Sequence, residues 1–195
     1  TVIDSFNSNN YWMDNHEFQL LPNGNAIFLA RFFRTVDLSY IGGSPVAQVE
    51  DYIIQELDEN KNVVFEWNTK DYFEITDAPH INLTSQKIYY VHANSIEMDP
   101  DGSILLSSRH LDEITKIDRN NGDIIWRLGG LNNQFTFTNE INDSLHVGPF
   151  CYQHDVRRID NGDITFFDNG NFKTSPYSRM VQYELDEENL IANLV

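Results

Sequence analysis

Residues 153–170 read "QHDVRRIDNGDITFFDNG". Alternating strand-like runs flank Asn161-Gly162, and Asn-Gly between two such runs is the strongest short-range signal for a β-hairpin, because the loop positions need a left-handed backbone. His154 stands eight residues before that glycine, with Gln153, Asp155, Arg157 and Arg158 around it. A core histidine would sit among apolar neighbours. This one opens a strand in polar company.

Aligning turn glycines exposes a repeat: "HEFQLLPNGNAIFLAR" (16–31), "NSIEMDPDGSILLSSR" (94–109) and "HDVRRIDNGDITFFDN" (154–169). Each carries an apolar residue six positions before the glycine, at Phe18, Ile96 and Val156. If the loops are the dipeptides Asn23-Gly24, Asp101-Gly102 and Asn161-Gly162, counting outward sets His16 opposite Arg31, Asn94 opposite Arg109 and His154 opposite Asn169. Cross-strand partners stand about 5 Å apart at Cβ. Each hairpin is then expected to end in a polar pair far from its turn.

A second strand pair follows each hairpin, in "YIIQELDENKNVVFEW" (52–67), "EITKIDRNNGDIIWRLG" (113–129) and "VQYELDEENLIANLV" (181–195). Four strands per unit is the pattern of β-propeller blades. The expected fold is therefore all-β, a β-propeller of four-stranded blades, as one partial domain over 1–195 with approximate repeats at 11–70, 88–130 and 150–195. "TSQKIYYVHANS" (84–95) reads as a strand from its β-branched and aromatic content. The connection at 131–150 is long enough to be a candidate functional loop. Three blades do not close a ring, and the last blade is cut short. The chain is therefore expected to be a piece of a longer one, or to be completed by the rest of its propeller or another subunit.

The 195 residues suffice for a hydrophobic core. No apolar run approaches 18 residues, so no membrane insertion is expected. Thirteen basic against thirty acidic residues give a net charge of −17, which disfavours nucleic acid and anionic membranes as partners. An anionic small substrate would need locally concentrated Arg and His. The single cysteine, Cys151, excludes an internal disulfide and a Cys-rich zinc site. The opening "TVIDSFNSNN" has neither initiator Met nor signal peptide, as expected of a mature protein or a fragment.

His16, His92 and His154 stand near blade starts, whereas His80, His110 and His146 do not share that position. Strict repeat register aligns Asn94, not His92, with the other two, so His92 needs a local irregularity to join them. No H-x-H or H-E-x-x-H spacing supports a metal site. "DPDG" (99–102) and "DRNNGD" (118–123) lack the closing Glu of a calcium loop and read as turns. "WRLGG" (126–130) has no following helix to cradle phosphate. Ser107 and Ser108, near Arg109, could be nucleophiles, yet strand alternation explains them as well. What remains is three His and one or two Arg converging on one end. That set suits a tetrahedral, multiply oxygenated anion, since guanidinium offers forked donors and imidazole can donate, accept or attack.

"VHANSIEMDPDGSILLSSRHLDEITKIDRNNGDIIWRLGG" (91–130) followed by "QHDVRRIDNGDITFFDNGN" (153–171) resembles the bacterial-type, nucleotide-independent arylsulfotransferases, and "DNHEFQLLPNGNAIFLA" (14–30) resembles their preceding blade. The resemblance implies a six-bladed propeller, no cofactor, an aryl sulfate donor, a phenolic acceptor and a periplasmic or secreted location. It also implies a transiently sulfated histidine, His154, with His92, Arg109 and His16 completing the catalytic set. Asn94, Asn169 and Tyr152 are the candidate substrate-binding residues, and Phe135 and Phe137 could offer further aromatic faces. Asp155 is expected to tune charge or cap a turn. Two alternatives remain open: a non-catalytic propeller binding sulfated or other anionic ligands, and a structural component of a secreted or surface assembly.

Overall fold

Each Asn-Gly or Asp-Gly pair does turn a hairpin, but through three residues rather than two. Leu21 and Asn25 close the first loop (Leu21 N to Asn25 O 2.8 Å, Gly24 N to Leu21 O 2.9 Å), and Asp99/Ser103 and Ile159/Asp163 close the others in the same way. Gly24, Gly102 and Gly162 take φ of 87°, 88° and 93°. Pro22 and Pro100 supply the fixed φ that suits the first loop position. The left-handed glycine adds one residue to the turn and moves the whole ladder by one.

The expected polar pairs are therefore corrected. His154 faces Phe167, not Asn169. Ala93 faces Ser108 and Ser95 faces Ser107, with Asn94 bulged out between them rather than facing Arg109. Arg31 faces Trp12, and His16 lies in the irregular stretch between Met13 and Phe18. A bulge near the start of each hairpin's first strand takes His16 and Asn94 out of regular pairing, and in the third hairpin it follows His154, which stays paired.

The computed structural model describes residues 4–140 and 148–195, so His146 and residues 141–147 of the expected functional loop lie outside the described residues. Among the described residues there are three sheets. The first orders β1 (Trp12–Leu20), β2 (Ala26–Val36), β3 (Ala47–Leu57) and β4 (Val63–Asn68), with the two-residue β5 (Lys87–Ile88) parallel to β3. The second orders β6 (Ala93–Met98), β7 (Ile104–Ser108), β8 (Glu113–Ile117) and β9 (Ile124–Gly129). The third runs β11 (His154–Arg158), β12 (Ile164–Asp168), β13 (Arg179–Asp186) and β14 (Ile191–Leu194), with β10 (Thr136–Thr138) added in parallel outside β14. The fold is all-β, and these four- to five-stranded, mainly antiparallel sheets are consistent with propeller blades. Of "TSQKIYYVHANS", only Lys87–Ile88 and the residues from Ala93 join strands. No helix among the described residues is long and apolar enough to cross a membrane.

The chain divides into two compact units. One takes the chain through Ile75 together with Asn82–Val91, and the other takes Thr76–Ile81 together with His92–Val195. In the first unit β3 is buried along nearly its whole length, so its polar residues need partners. Glu50 receives Arg31 at 2.9 Å, Asp51 receives Tyr90 Oη at 2.6 Å, and Glu56 receives Asn25 Nδ2 at 2.6 Å. In the second unit Leu105, Ile114, Trp126 and Leu128 of one sheet pack with Val156, Ile164, Phe166 and Tyr183 of the next. Phe135 and Phe137 belong to this core, against Trp126 and against Phe150 and Tyr183, rather than offering open faces for a ligand.

At the turn end of this unit Lys116, nearly fully buried, binds Asp99 at 2.7 Å, Asp101 at 2.8 Å and Glu187 at 2.7 Å. Arg158 forks onto Asp99 (2.6 and 2.8 Å) and reaches Glu187 at 2.7 Å. Breaking a buried ion pair leaves its partners uncompensated, at a cost of about 3–5 kcal/mol. Lys116→Met should lower the unfolding free energy by an amount of that order, read as a lower denaturant midpoint, and an unchanged midpoint would show that the network contributes nothing. Burial alone would raise the Asp101 carboxyl, but hydrogen bonds from Lys116 and Ser103 outweigh it and bring it down to about 2. The folded value lies below the ordinary 3.8, so this contribution is complete above that pH and is lost as pH falls towards about 2. Acid titration of stability should show a loss in that window that Asp101→Asn reduces.

Candidate functional site

The site grows from four non-glycine residues of the second unit with left-handed backbone: His92 (φ 49°), Asp112 (54°), Tyr152 (54°) and Asp155 (62°). Such conformations are uncommon outside glycine and hold only where surrounding contacts enforce them. His92 reverses the chain just before β6, and its carbonyl accepts the Arg109 N–H at 3.1 Å. This is the irregularity that strict repeat register required of it. Asp112 ends the short turn Arg109–Leu111 between β7 and β8. Gly129 and Gly130 make room for that turn: a Cβ on Gly129 would lie 2.5 Å from the Asp112 carbonyl oxygen, and one on Gly130 2.3 Å from that of Leu111. The Gly-Gly of "WRLGG" thus serves a close backbone approach.

These irregular positions bring three imidazoles together. The His92 ring centre lies 4.9 Å from that of His110 and 6.1 Å from that of His154. His154 Nδ1 lies 3.0 Å from the Tyr152 carbonyl oxygen. A carbonyl only accepts, so Nδ1 carries the proton and, in the neutral ring, Nε2 carries the lone pair. Arg109 stacks its guanidinium 3.7 Å above the Tyr152 ring and donates from Nη1 to His110 Nε2 at 2.5 Å. The ring of His110 lies 5.1 Å from that of Tyr152.

Arg109 has no carboxylate within 4 Å among the described residues, whereas Arg31, Arg34, Arg127, Arg157, Arg158 and Arg179 each have one. Burial pushes its guanidinium below the usual range, against the opposing pull of Tyr152 and Asp112, yet a guanidinium stays charged at any physiological pH. Burial likewise raises the Tyr152 phenol, so its hydroxyl remains protonated. A cation partly removed from water, without a carboxylate of its own, beside imidazoles and a phenol, is chemically suited to an oxyanion.

Of the residues expected from sequence, His154, His92, Arg109 and Tyr152 come together. Asn94 lies beside them, but its amide is engaged with backbone, donating to Gln153 O at 2.9 Å and accepting from Asp155 N at 3.3 Å. Asn169 follows β12, and its buried Oδ1 has no hydrogen-bond partner among the described residues. Asp155 is exposed and pairs with Arg157 at 2.6 Å. His16 belongs to the other unit, where Nδ1 meets Asp14 Oδ1 at 2.6 Å and Arg31 Nε lies 3.5 Å from the same carboxylate. His110, which directly follows Arg109, was missed because it does not recur across the repeats. No group of three or more His, Cys, Asp or Glu among the described residues is arranged to hold a metal ion.

A family model described as Arylsulfotransferase (ASST) matches residues 2–195. The chain belongs to the arylsulfotransferase family. No curated protein matches it. Among solved structures it is similar to a protein of unknown function from Bacteroides caccae, with 16% identity and a TM-score of 0.44 over 87% of this chain. The chain spans 41% of that protein's length.

Directly before Tyr152 lies Cys151, fully buried. Burial raises its thiol to about 11, so at pH 8 roughly one molecule in a thousand carries the reactive thiolate. The native protein should resist thiol reagents at pH 8 and react at one cysteine per chain once denatured. Rapid labelling of the folded protein would contradict this burial.

Proposed function

We propose that the chain supplies the nucleophilic part of an arylsulfotransferase that moves a sulfuryl group from an aryl sulfate to a phenol by way of a sulfo-histidine at His154. The observation that carries the proposal is the hydrogen bond from His154 Nδ1 to the Tyr152 carbonyl, beside an Arg109 that has no carboxylate partner among the described residues. A ring held in this tautomer presents Nε2 as the attacking atom.

In the first half-reaction the Nε2 lone pair forms a bond to sulfur while the bond from sulfur to the aryl oxygen breaks, its electrons leaving with the phenolate. A protonated His92 gives that oxygen a proton. Arg109 offers forked donors to the nonbridging sulfuryl oxygens. The sulfated ring is cationic, and its Nδ1–H bond to the Tyr152 carbonyl strengthens as that charge develops. In the second half-reaction the acceptor phenol loses its proton to neutral His92, its oxygen bonds to sulfur, and the N–S electrons return to Nε2. For His16 the support is the family resemblance together with its own pairing to Asp14.

Further blades to close the ring, from the same chain or another subunit, and a periplasmic or secreted location belong to the same proposal. They rest on the resemblance, and cell fractionation tests the location. Incubating the full-length protein with p-nitrophenyl sulfate, followed by intact-mass analysis and peptide mapping, should find one sulfuryl adduct on His154. His154→Asn should abolish it; an adduct and full turnover in that variant would overturn the scheme. Arg109→Ala should lower kcat/KM by about 10²- to 10³-fold, with little recovery in Arg109→Lys because the fork is lost.

A further inference from the structure

Asp112 is fully buried, and each of its carboxylate oxygens has its own donor. Oδ1 accepts the Tyr152 N–H at 2.8 Å, and Oδ2 lies 2.9 Å from His80 Nε2, which donates to it. His80 enters the unit on the separate segment Thr76–Ile81. Its ring stacks on Phe172, with centres 3.7 Å apart and planes 14° apart, and meets the Tyr152 ring edge-on at 5.9 Å. The proposed reaction uses neither residue.

We propose that Asp112 and His80 are positioning residues for His154, acting through the Tyr152 backbone. The inference rests on the sulfuryl-transfer reading for its kinetic consequences but not for its structural one. Tyr152 is left-handed, a conformation a tyrosine leaves unless held. Asp112 holds it from the N–H side. On the other side the next residue is fixed, because Gln153 Nε2 bonds Glu113 O at 2.9 Å and Ser108 O at 3.2 Å, and its carbonyl accepts from Asn94 at 2.9 Å. Between these anchors the Tyr152 carbonyl points at His154 Nδ1. The same anchoring sets the Tyr152 ring beneath Arg109. The His80 N–H fixes the second oxygen of Asp112, and so the plane in which the first one meets Tyr152. Removing that donor lets the carboxylate rotate and the Tyr152 peptide relax. His154 then loses the acceptor that selects its tautomer.

The test uses His80→Phe, which keeps the stack on Phe172 but cannot donate, and His80→Gln, which restores a donor. Nitrogen-15 NMR of histidine-labelled full-length protein reads the His154 tautomer directly. The proton should reside on Nδ1 in the parent and in His80→Gln, and should distribute over both nitrogens in His80→Phe. With p-nitrophenyl sulfate and a phenol, His80→Phe should lower kcat about ten- to a hundredfold with KM nearly unchanged, as a small misplacement of the attacking atom does. Asp112→Leu should have the larger effect; if it does not fold, the two His80 variants carry the test. An unchanged His154 tautomer in His80→Phe overturns the positioning role whatever the activity. A protein with no sulfuryl transfer but a disturbed tautomer would overturn the proposed reaction and leave the positioning role standing.

Discussion

Left-handed backbone at residues that have side chains is the constraint on which the polar end of the second unit depends. His92, Asp112, Tyr152 and Asp155 all adopt it, each next to a strand end or a bulge. A regular antiparallel ladder alternates its side chains between two faces and cannot gather three imidazoles and a guanidinium at one place. Each left-handed residue breaks the alternation once and redirects one side chain or peptide. The cost, about 1–3 kcal/mol for each such residue, is offset by contacts that leave little alternative, such as the Asp112 bond to Tyr152 N–H and the several bonds of the Gln153 amide.

The sheets beneath provide the rigidity that makes this possible. Trp126, Phe150, Phe166 and Tyr183 fill the space between the second and third sheets, and the Lys116–Arg158 network ties their turn ends together. With the turn ends fixed by charge and the middle by packing, the opposite ends of the strands are free to carry irregular backbone. Acidic residues outnumber basic ones thirty to thirteen, yet several near the site in this unit are engaged: Asp112 with His80 and Tyr152, Asp155 with Arg157 at 2.6 Å, and Glu113 with Arg127 at 2.8 Å. Arg109 stands apart from this pattern. Among the described residues no carboxylate lies within 4 Å of it, so none of them cancels its positive charge at short range in a protein of net charge −17.

The site divides labour between side chains and backbone. In the proposed reaction His154, His92 and Arg109 bear the groups that touch a sulfuryl ester, whereas Tyr152 contributes a carbonyl at hydrogen-bond distance from His154 Nδ1 and a ring that carries a cation. His16, with Asp14 on its Nδ1, repeats the pairing of an imidazole nitrogen with an oxygen acceptor, though with a carboxylate in place of a carbonyl. Family membership rests on a match over residues 2–195, and the reaction proposed for the chain is the one these groups can perform.

By itself the sequence determined the strand-turn-strand repeat, because turn glycines and apolar spacing are local properties that need no partner to be read. The family and the residue types gathered in the site followed from the same motifs, down to His154, His92 and Arg109. It misplaced the register by one residue at each hairpin, since a three-residue loop and a two-residue loop share the same Asn-Gly or Asp-Gly signature and differ only in where the ladder closes. Only the tertiary structure decided that Asn94 is engaged with backbone, that Phe135 and Phe137 belong to the core, and that His110, His80 and Asp112 stand around Tyr152. Those roles depend on bulges, left-handed residues and contacts between residues 30 to 60 or more apart in the chain, such as Asp112 with Tyr152 and Asn94 with Gln153. Side-chain direction after a break in the ladder is set by what the neighbouring strand offers, and that neighbour is known only once the chain is folded.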